Sequence, residues 1–312
     1  MPSAVPVVQR IDASEPEAII EALKKDGGVI IKNFTTPELV DQVNAETQPY
    51  LRKDKPWKGA LFPPETRRCT RLVSRSPTVR NHWLVHPLVS RLTSHFLSKA
   101  THCWYNDDRH EYTLYPILSS SMTLECNPGG AGQRLHRDEK VHHGWRDDQT
   151  ATGYRMGSDV MMAFLIPGTQ TTPENGATVL TVNSCKAIPG SHLWGMERHP
   201  KMEEAVPATM MPGDAWCHLG GLYHAGGANK TADWRRPMHS MFFCQSHLRT
   251  EENQYLIHTK EEVASWSREV QRVMGYDISS PNLGFVDFIT PYKWLTGDYN
   301  PDEIDDLDPI KT

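Results

Sequence analysis

From about Tyr112 onward the chain divides into short apolar or alternating runs, each closed by Gly, Pro or Asn, and this punctuation constrains the fold more than any other feature. The candidate strands are Ser121–Asn127, Gln133–Asp138, Asp159–Ile166, Thr178–Val182, Ala205–Met210, Ala215–Leu219 and Pro237–Gln245. Turns fall at Pro128-Gly129-Gly130, Pro189-Gly190 and Pro212-Gly213-Asp214. Short strands separated by turn residues in this way predict a β-sandwich or barrel.

The preceding segment has a different period. Pro16 to Lys25 places Ala18, Ile19, Ala22 and Leu23 at helical spacing before an Asp26-Gly27-Gly28 break, and the β-rich run Val29-Ile30-Ile31 follows. Thr36 before Pro37 and Glu38 reads as a helix start, and His86 to Ala100 as another amphipathic helix. A last helix is predicted over Lys260 to Met274, where Val263, Trp266, Val270 and Val273 recur at helical intervals. No repeat or low-complexity linker divides the 312 residues. We therefore expect a single domain: a mainly helical layer over 1–111, a β core over 112–250, and a helix with an acidic tail over 251–312.

Composition excludes several classes of function. Lys and Arg number 33 against 38 Asp and Glu, a formal net charge of −5, which rules out a strongly basic nucleic-acid binder. The longest strongly apolar run, Val160 to Pro167, is too short to cross a bilayer, so no membrane insertion is expected. Six cysteines without a CxxC pair suggest neither a zinc knuckle nor a disulfide framework, and reduced thiols fit a soluble cytoplasmic protein. The stretch from Arg52 to Arg80 is rich in Lys and Arg. It is either a site for an anionic substrate or, the reading we favour, a solvated loop with packing arginines.

His136-Arg137-Asp138 is an HxD triplet, and in a strand residues i and i+2 project from one face, so an imidazole and a carboxylate can converge on a metal ion. With 15 histidines in the chain such a triplet is weak by itself. Its company strengthens it. His224 lies 86 residues after Asp138, in Tyr223-His224-Ala225-Gly226-Gly227, and Arg235 and Arg236 follow 11 and 12 residues after His224. Two histidines and one carboxylate form the facial triad of non-haem Fe(II) oxygenases, which leaves positions open for a bidentate cosubstrate and dioxygen. An arginine then acquires a role, because its guanidinium fork matches the distal carboxylate of a chelating 2-oxo acid.

With these residues in view, the sequence resembles the phytanoyl-CoA dioxygenase family of Fe(II)- and 2-oxoglutarate-dependent oxygenases, and within it a fungal branch acting on alkaloids and meroterpenoids. The matching stretches are Gln133 to Asp138, Pro173-Glu174-Asn175-Gly176-Ala177-Thr178, Pro189-Gly190-Ser191-His192, Met211-Pro212-Gly213-Asp214-Ala215 and His224-Ala225-Gly226-Gly227. The resemblance implies a double-stranded β-helix (jelly-roll, cupin-like) core and the use of Fe(II), 2-oxoglutarate and O2. It implies His136, Asp138 and His224 as iron ligands and Arg235 as the partner of the 2-oxoglutarate carboxylate, with Arg236 the alternate if the strand register slips by one. Gln133 and Thr178 match positions that touch 2-oxoglutarate, although the chain is longer between Ala177 and Pro189 than the family's short link. The resemblance further implies a homodimer and an apolar small-molecule substrate, oxidised by hydroxylation, desaturation, rearrangement or endoperoxide formation with release of succinate and CO2.

Two other readings stay open: an acyl-CoA 2-hydroxylase, and a cupin-like metal-binding protein without oxygen chemistry. Asn127 and Trp194 flank the expected site and are candidates for substrate contact or for packing. His142 and His143 are expected on an exposed loop, and His192, Glu125 and Asp214 in structural roles.

Overall fold

The computed structural model describes residues 7–59, 62–172, 174–175 and 186–299. Helices α1 (Pro16–Asp26), α2 (Pro37–Lys53), α3 (Leu72–Arg75) and α4 (Pro87–Leu97) come first in the chain. α1 buries Ile19, Ile20, Ala22 and Leu23 on one face and ends at Gly27, whose φ of 75° favours glycine. Thr36 caps α2 as its sequence predicts, its hydroxyl accepting the Leu39 N–H. α4 is capped by an imidazole, the Nδ1 of His86 accepting the Leu88 N–H at 3.2 Å.

The strands are β1 (Arg10–Asp12), β2 (Gly28–Lys32), β3 (Thr66–Cys69), β4 (Lys99–Tyr105), β5 (Asp108–Leu114) and β6 (Pro116–Cys126). They continue with β7 (Met161–Pro167), β8 (Lys186–Ala187), β9 (Val206–Pro207), β10 (Ala215–Leu219), β11 (His224–Ala225) and β12 (Arg236–Gln245). Among the described residues they form a seven-stranded sheet of order β1-β2-β10-β7-β12-β6-β3, a small β11-β8-β9 sheet, and a β4-β5 hairpin. The large and small sheets are the two layers of the expected jelly roll.

Alternation along the central strands assigns the faces of the large sheet. Phe164, Met241 and Phe243 belong to the core shared with Trp83, Leu92 and Phe96 of the helical layer. Leu165, Met238, Trp216 and Ile30 face the other way, toward Ala187, Met210 and Leu222. The first face is covered by the helical layer. The second is more open at one end, where Met122, Leu124, Leu165, Met238 and Phe242 are only half-buried.

Several sequence expectations require correction. Gln133 to Asp138 does not form a strand: only His136 pairs, in an isolated bridge with His224, and Asp138 already opens a 3-10 turn reaching His142. The last helix is two, α6 (Lys260–Ala264) and α7 (Arg268–Val273), because Ser267 caps a new helix start by accepting the Val270 N–H. Two further short helices, α5 (Gln254–Ile257) and α8 (Pro291–Thr296), flank that pair. Ala205–Met210 contracts to the two residues of β9, and Thr178–Val182 lies outside the described residues. The segment read as helical also contributes β1, β2 and β3 to the large sheet and holds most of the β4-β5 hairpin. No helix among the described residues is long and apolar enough to cross a membrane.

Candidate metal centre

His136 and His224 face each other across a reciprocal main-chain bridge, His136 N to His224 O at 2.9 Å and His224 N to His136 O at 3.0 Å. Their ring centroids are 4.5 Å apart. Asp138, at the start of the following 3-10 turn, places Oδ1 3.4 Å from His136 Nε2 and Oδ2 3.5 Å from His224 Nε2. One donor atom from each of the three residues lies within 4.8 Å of the others.

The protons around this cluster follow from its hydrogen bonds. His136 Nδ1 lies 2.8 Å from the Arg134 carbonyl and His224 Nδ1 3.2 Å from the Leu222 carbonyl. A carbonyl oxygen only accepts, so each Nδ1 carries the hydrogen and each Nε2 presents a lone pair. Those lone pairs point at a carboxylate whose Oδ2 is buried without a hydrogen-bond partner. Acceptors turned toward acceptors in a buried site are costly alone and suit a cation held between them.

Burial raises the Asp138 carboxyl, and positive charge beside it, on His224, His136 and His218 or on an ion between them, outweighs that and holds the group well below the usual carboxylate range. Burial pushes the His224 imidazole down to about 3, so it is neutral at neutral pH.

The surrounding chain fixes these side chains. Arg137, between the two candidate ligands, turns away and donates to the carbonyls of Ser191 and Trp194 at 2.9 and 2.8 Å, its guanidinium 4.3 Å from the Tyr223 ring. Ser191 Oγ accepts the Tyr223 N–H at 2.9 Å, so the Pro189-Gly190-Ser191-His192 turn grips the residue before His224. His192 has the structural role expected of it, its Nε2 donating to the Lys24 carbonyl at the end of α1 at 3.0 Å.

The remaining candidates divide. Gln133 Oε1 accepts the Gly226 N–H at 2.8 Å, which leaves its amide NH2 group beside the site. Asn127 Oδ1 is buried without a partner. Trp194 is buried, its ring covered by the Arg198 guanidinium at 3.5 Å, which is a packing position. Arg235 is exposed just before β12, and its charge opposes the upward push that burial exerts on the Glu125 carboxyl. Arg236 opens β12 opposite Cys126 and by alternation shares the inner face of Met238. Thr178 lies outside the described residues. Asp214 has its structural role, accepting the Met211 N–H and pairing with Lys32 at 3.2 Å. His143 is exposed and His142 half-buried after the 3-10 turn.

Arginines of the Arg52–Arg80 stretch are engaged within the fold. Arg68 pairs with Asp54 at 2.8 Å, Arg75 lies 4.3 Å from the Tyr50 ring and Arg80 5.5 Å from the Trp266 ring. The packing reading of that stretch is the one the structure supports.

Sequence reasoning missed His218. Its side chain is fully buried on β10, and its Nε2 lies 3.7 Å from Asp138 Oδ2. It also missed Arg146, buried after the 3-10 turn and joined to Glu139 and Asp159 at 2.7 and 2.6 Å.

Comparison with known proteins identifies the family. The chain is 35% identical over 291 residues to the dioxygenase swnH1 of Arthroderma benhamiae, covering 91% of each chain. It is 31% identical to the dioxygenase peniF of Penicillium patulum over 280 residues, covering 89% of this chain and 88% of the relative. Among solved structures it resembles the non-haem α-ketoglutarate-dependent epimerase SnoN from nogalamycin biosynthesis, with a TM-score of 0.54 at 16% identity over 75% of this chain and 84% of that one. At that identity the likeness concerns the fold. Residues 23–237 match the phytanoyl-CoA dioxygenase (PhyH) family, to which the chain therefore belongs.

Proposed function

We propose that this dioxygenase holds Fe(II) on His136, Asp138 and His224, takes 2-oxoglutarate as cosubstrate, and oxidises an unactivated C–H bond of an apolar small molecule such as a terpenoid, meroterpenoid or alkaloid. The observation that carries the reading is the convergence of the His136 and His224 Nε2 lone pairs on the two oxygens of the Asp138 carboxylate, Oδ1 and Oδ2, the second of which is buried without a partner. The bound iron and 2-oxoglutarate supply the oxidant for C–H cleavage, with release of succinate and CO2.

The chain's own groups do the rest. The main-chain carbonyls of Arg134 and Leu222 hold both imidazoles in the tautomer that offers Nε2. The half-buried inner face of Met122, Leu124, Leu165, Met238 and Phe242 supports an apolar, water-poor chamber. The register of β12 supports Arg236 as the fork for the distal carboxylate, whereas the family resemblance favours Arg235. Binding of 2-oxoglutarate to Arg235→Ala and Arg236→Ala separates them, because the arginine that makes the contact loses at least tenfold in affinity and the other stays near normal. Gln133, its carbonyl oxygen already engaged, has its amide NH2 group free to donate to the cosubstrate. Thr178 keeps a cosubstrate role on the resemblance alone, and Asn127, with its partnerless Oδ1, is the better placed candidate for substrate contact.

The test is anaerobic addition of Fe(II) and 2-oxoglutarate, which should give a visible charge-transfer band that His136→Ala abolishes, and succinate once oxygen is admitted. Absence of both band and succinate overturns the reading. An acyl-CoA substrate has less support, because arginines that would meet its phosphates are engaged with Asp54, Tyr50 and Trp266. A cytoplasmic homodimer is proposed on the resemblance, and sedimentation at micromolar concentration tests the dimer.

A further inference from the structure

His218 repeats the construction of the two histidines already described. Its Nδ1 lies 3.1 Å from the Leu219 carbonyl, so that nitrogen carries the hydrogen and Nε2 presents a lone pair. Nε2 is buried with no hydrogen-bond partner, and it lies 3.7 Å from the equally partnerless Asp138 Oδ2. His224 Nε2 lies 3.5 Å from the same oxygen and His136 Nε2 3.4 Å from Oδ1. The donor atoms of those three residues all lie within 4.8 Å of one another, and His218 stands at the edge of that cluster, so joining it takes a small shift of the ring. The ring stands 4.4 Å from His224 on one side and is stacked on Trp216 at 5.9 Å with 28° between planes on the other. Its position on β10, hydrogen-bonded to β2 and β7 on either side, leaves it little freedom to swing away.

Three imidazoles thus turn acceptor nitrogens toward one carboxylate. A neutral histidine buried only for packing gains nothing by facing its lone pair to an anion, since the contact is repulsive unless a proton or a cation lies between. The His218 proton is committed to Leu219.

We propose that His218 is a fourth nitrogen donor to the cation held by His136, Asp138 and His224 when no bidentate cosubstrate is bound, so that the resting centre is a three-histidine, one-aspartate site. The proposal rests on the metal assignment made above. It explains why a strand interior would carry an imidazole where its neighbours Trp216, Cys217 and Leu219 are apolar.

The experiment uses the full chain without 2-oxoglutarate and two probe ions, Cu(II) and Co(II). Nitrogen couplings in the electron paramagnetic resonance of the Cu(II) protein should count three imidazoles in the wild type and two in His218→Phe, and Co(II) should bind the variant at least tenfold more weakly. The wild-type count needs no variant to fold, and a count of two there overturns the proposal. So does a folded His218→Phe whose Co(II) affinity is within twofold of wild type. A separate arm tests the underlying reading: His136→Ala should abolish binding of both ions, and if it does not, the metal assignment itself fails, whatever His218 does.

Discussion

Arg146 donates to both oxygens of Glu139, Nε to Oε1 at 2.8 Å and an η nitrogen to Oε2 at 2.7 Å, and thereby grips the residue that follows Asp138. The same guanidinium donates to Asp159 Oδ1 at 2.6 Å, and that oxygen accepts the Gly221 N–H at 2.9 Å. One buried cation therefore ties the turn carrying Asp138 to the turn that leads into His224. Arg146→Met leaves two buried carboxylates without their cation and should cost about 3–5 kcal/mol, read as a lowered midpoint in urea. A loss below 1 kcal/mol would show that the network is dispensable.

His239 sets an acid limit on stability. It is fully buried, with Nε2 donating to Asn44 Oδ1 at 3.0 Å and Nδ1 accepting from Thr123 Oγ1 at 2.8 Å, and burial pushes its pKa down to about 3. The unfolded chain takes up that proton near pH 6.5. Between those values the unfolded state binds one more proton, so stability falls on acidification by about 1.4 kcal/mol per pH unit from this residue. His239→Gln should flatten the slope of stability against pH between 6 and 4 by one proton, and parallel slopes would contradict it.

Gly28 has no room for a side chain. A Cβ there would lie 2.4 Å from Cη2 of Trp216, which is buried and stacked on His218. Gly28→Ala should cost about 1–3 kcal/mol by overpacking. Because the displaced indole leans on His218, Co(II) affinity should fall with it, whereas an unchanged affinity would mean that the strain is relieved elsewhere.

Metal loading should be visible as stability. An ion that binds only the folded chain adds about 2.7 kcal/mol when present at a hundredfold its dissociation constant. Co(II) should raise the thermal midpoint of the wild type and leave His224→Ala unmoved, and equal shifts in both proteins would place the ion elsewhere.

Much of this was legible in the sequence, for reasons that differ from residue to residue. The turn residues of Pro189-Gly190 and Pro212-Gly213-Asp214 mark real breaks, and β7, β10 and β12 fall close to their predicted spans, whereas β6 begins at Pro116, well before the predicted Ser121. His136, Asp138 and His224 do come together, but not through alternation along one strand: Asp138 reaches the cluster from a 3-10 turn. His218 was hidden because all five residues of β10 are buried, so no alternation betrays which face the imidazole takes. The choice between Arg235 and Arg236 depends on where β12 begins, a boundary that hydrophobic pattern leaves uncertain by more than one residue. The helix over Lys260–Met274 had the right apolar spacing, and Ser267 still ended it by offering a better cap than continuation.

The reciprocal bridge between His136 and His224 divides the centre into a rigid part and an adjustable part. Both imidazoles hang from a pair of main-chain hydrogen bonds and are anchored by main-chain carbonyls, so their spacing is set by the backbone that carries them. The turn that carries Asp138 is held through Glu139, but Oδ2 of the Asp138 carboxylate itself has no hydrogen-bond partner, and the irregular stretch that runs to β7 begins there. The carboxylate is therefore the exchangeable corner of the site: shortening it to alanine or glycine would open a coordination position for an exogenous anion while the two imidazoles stay in place.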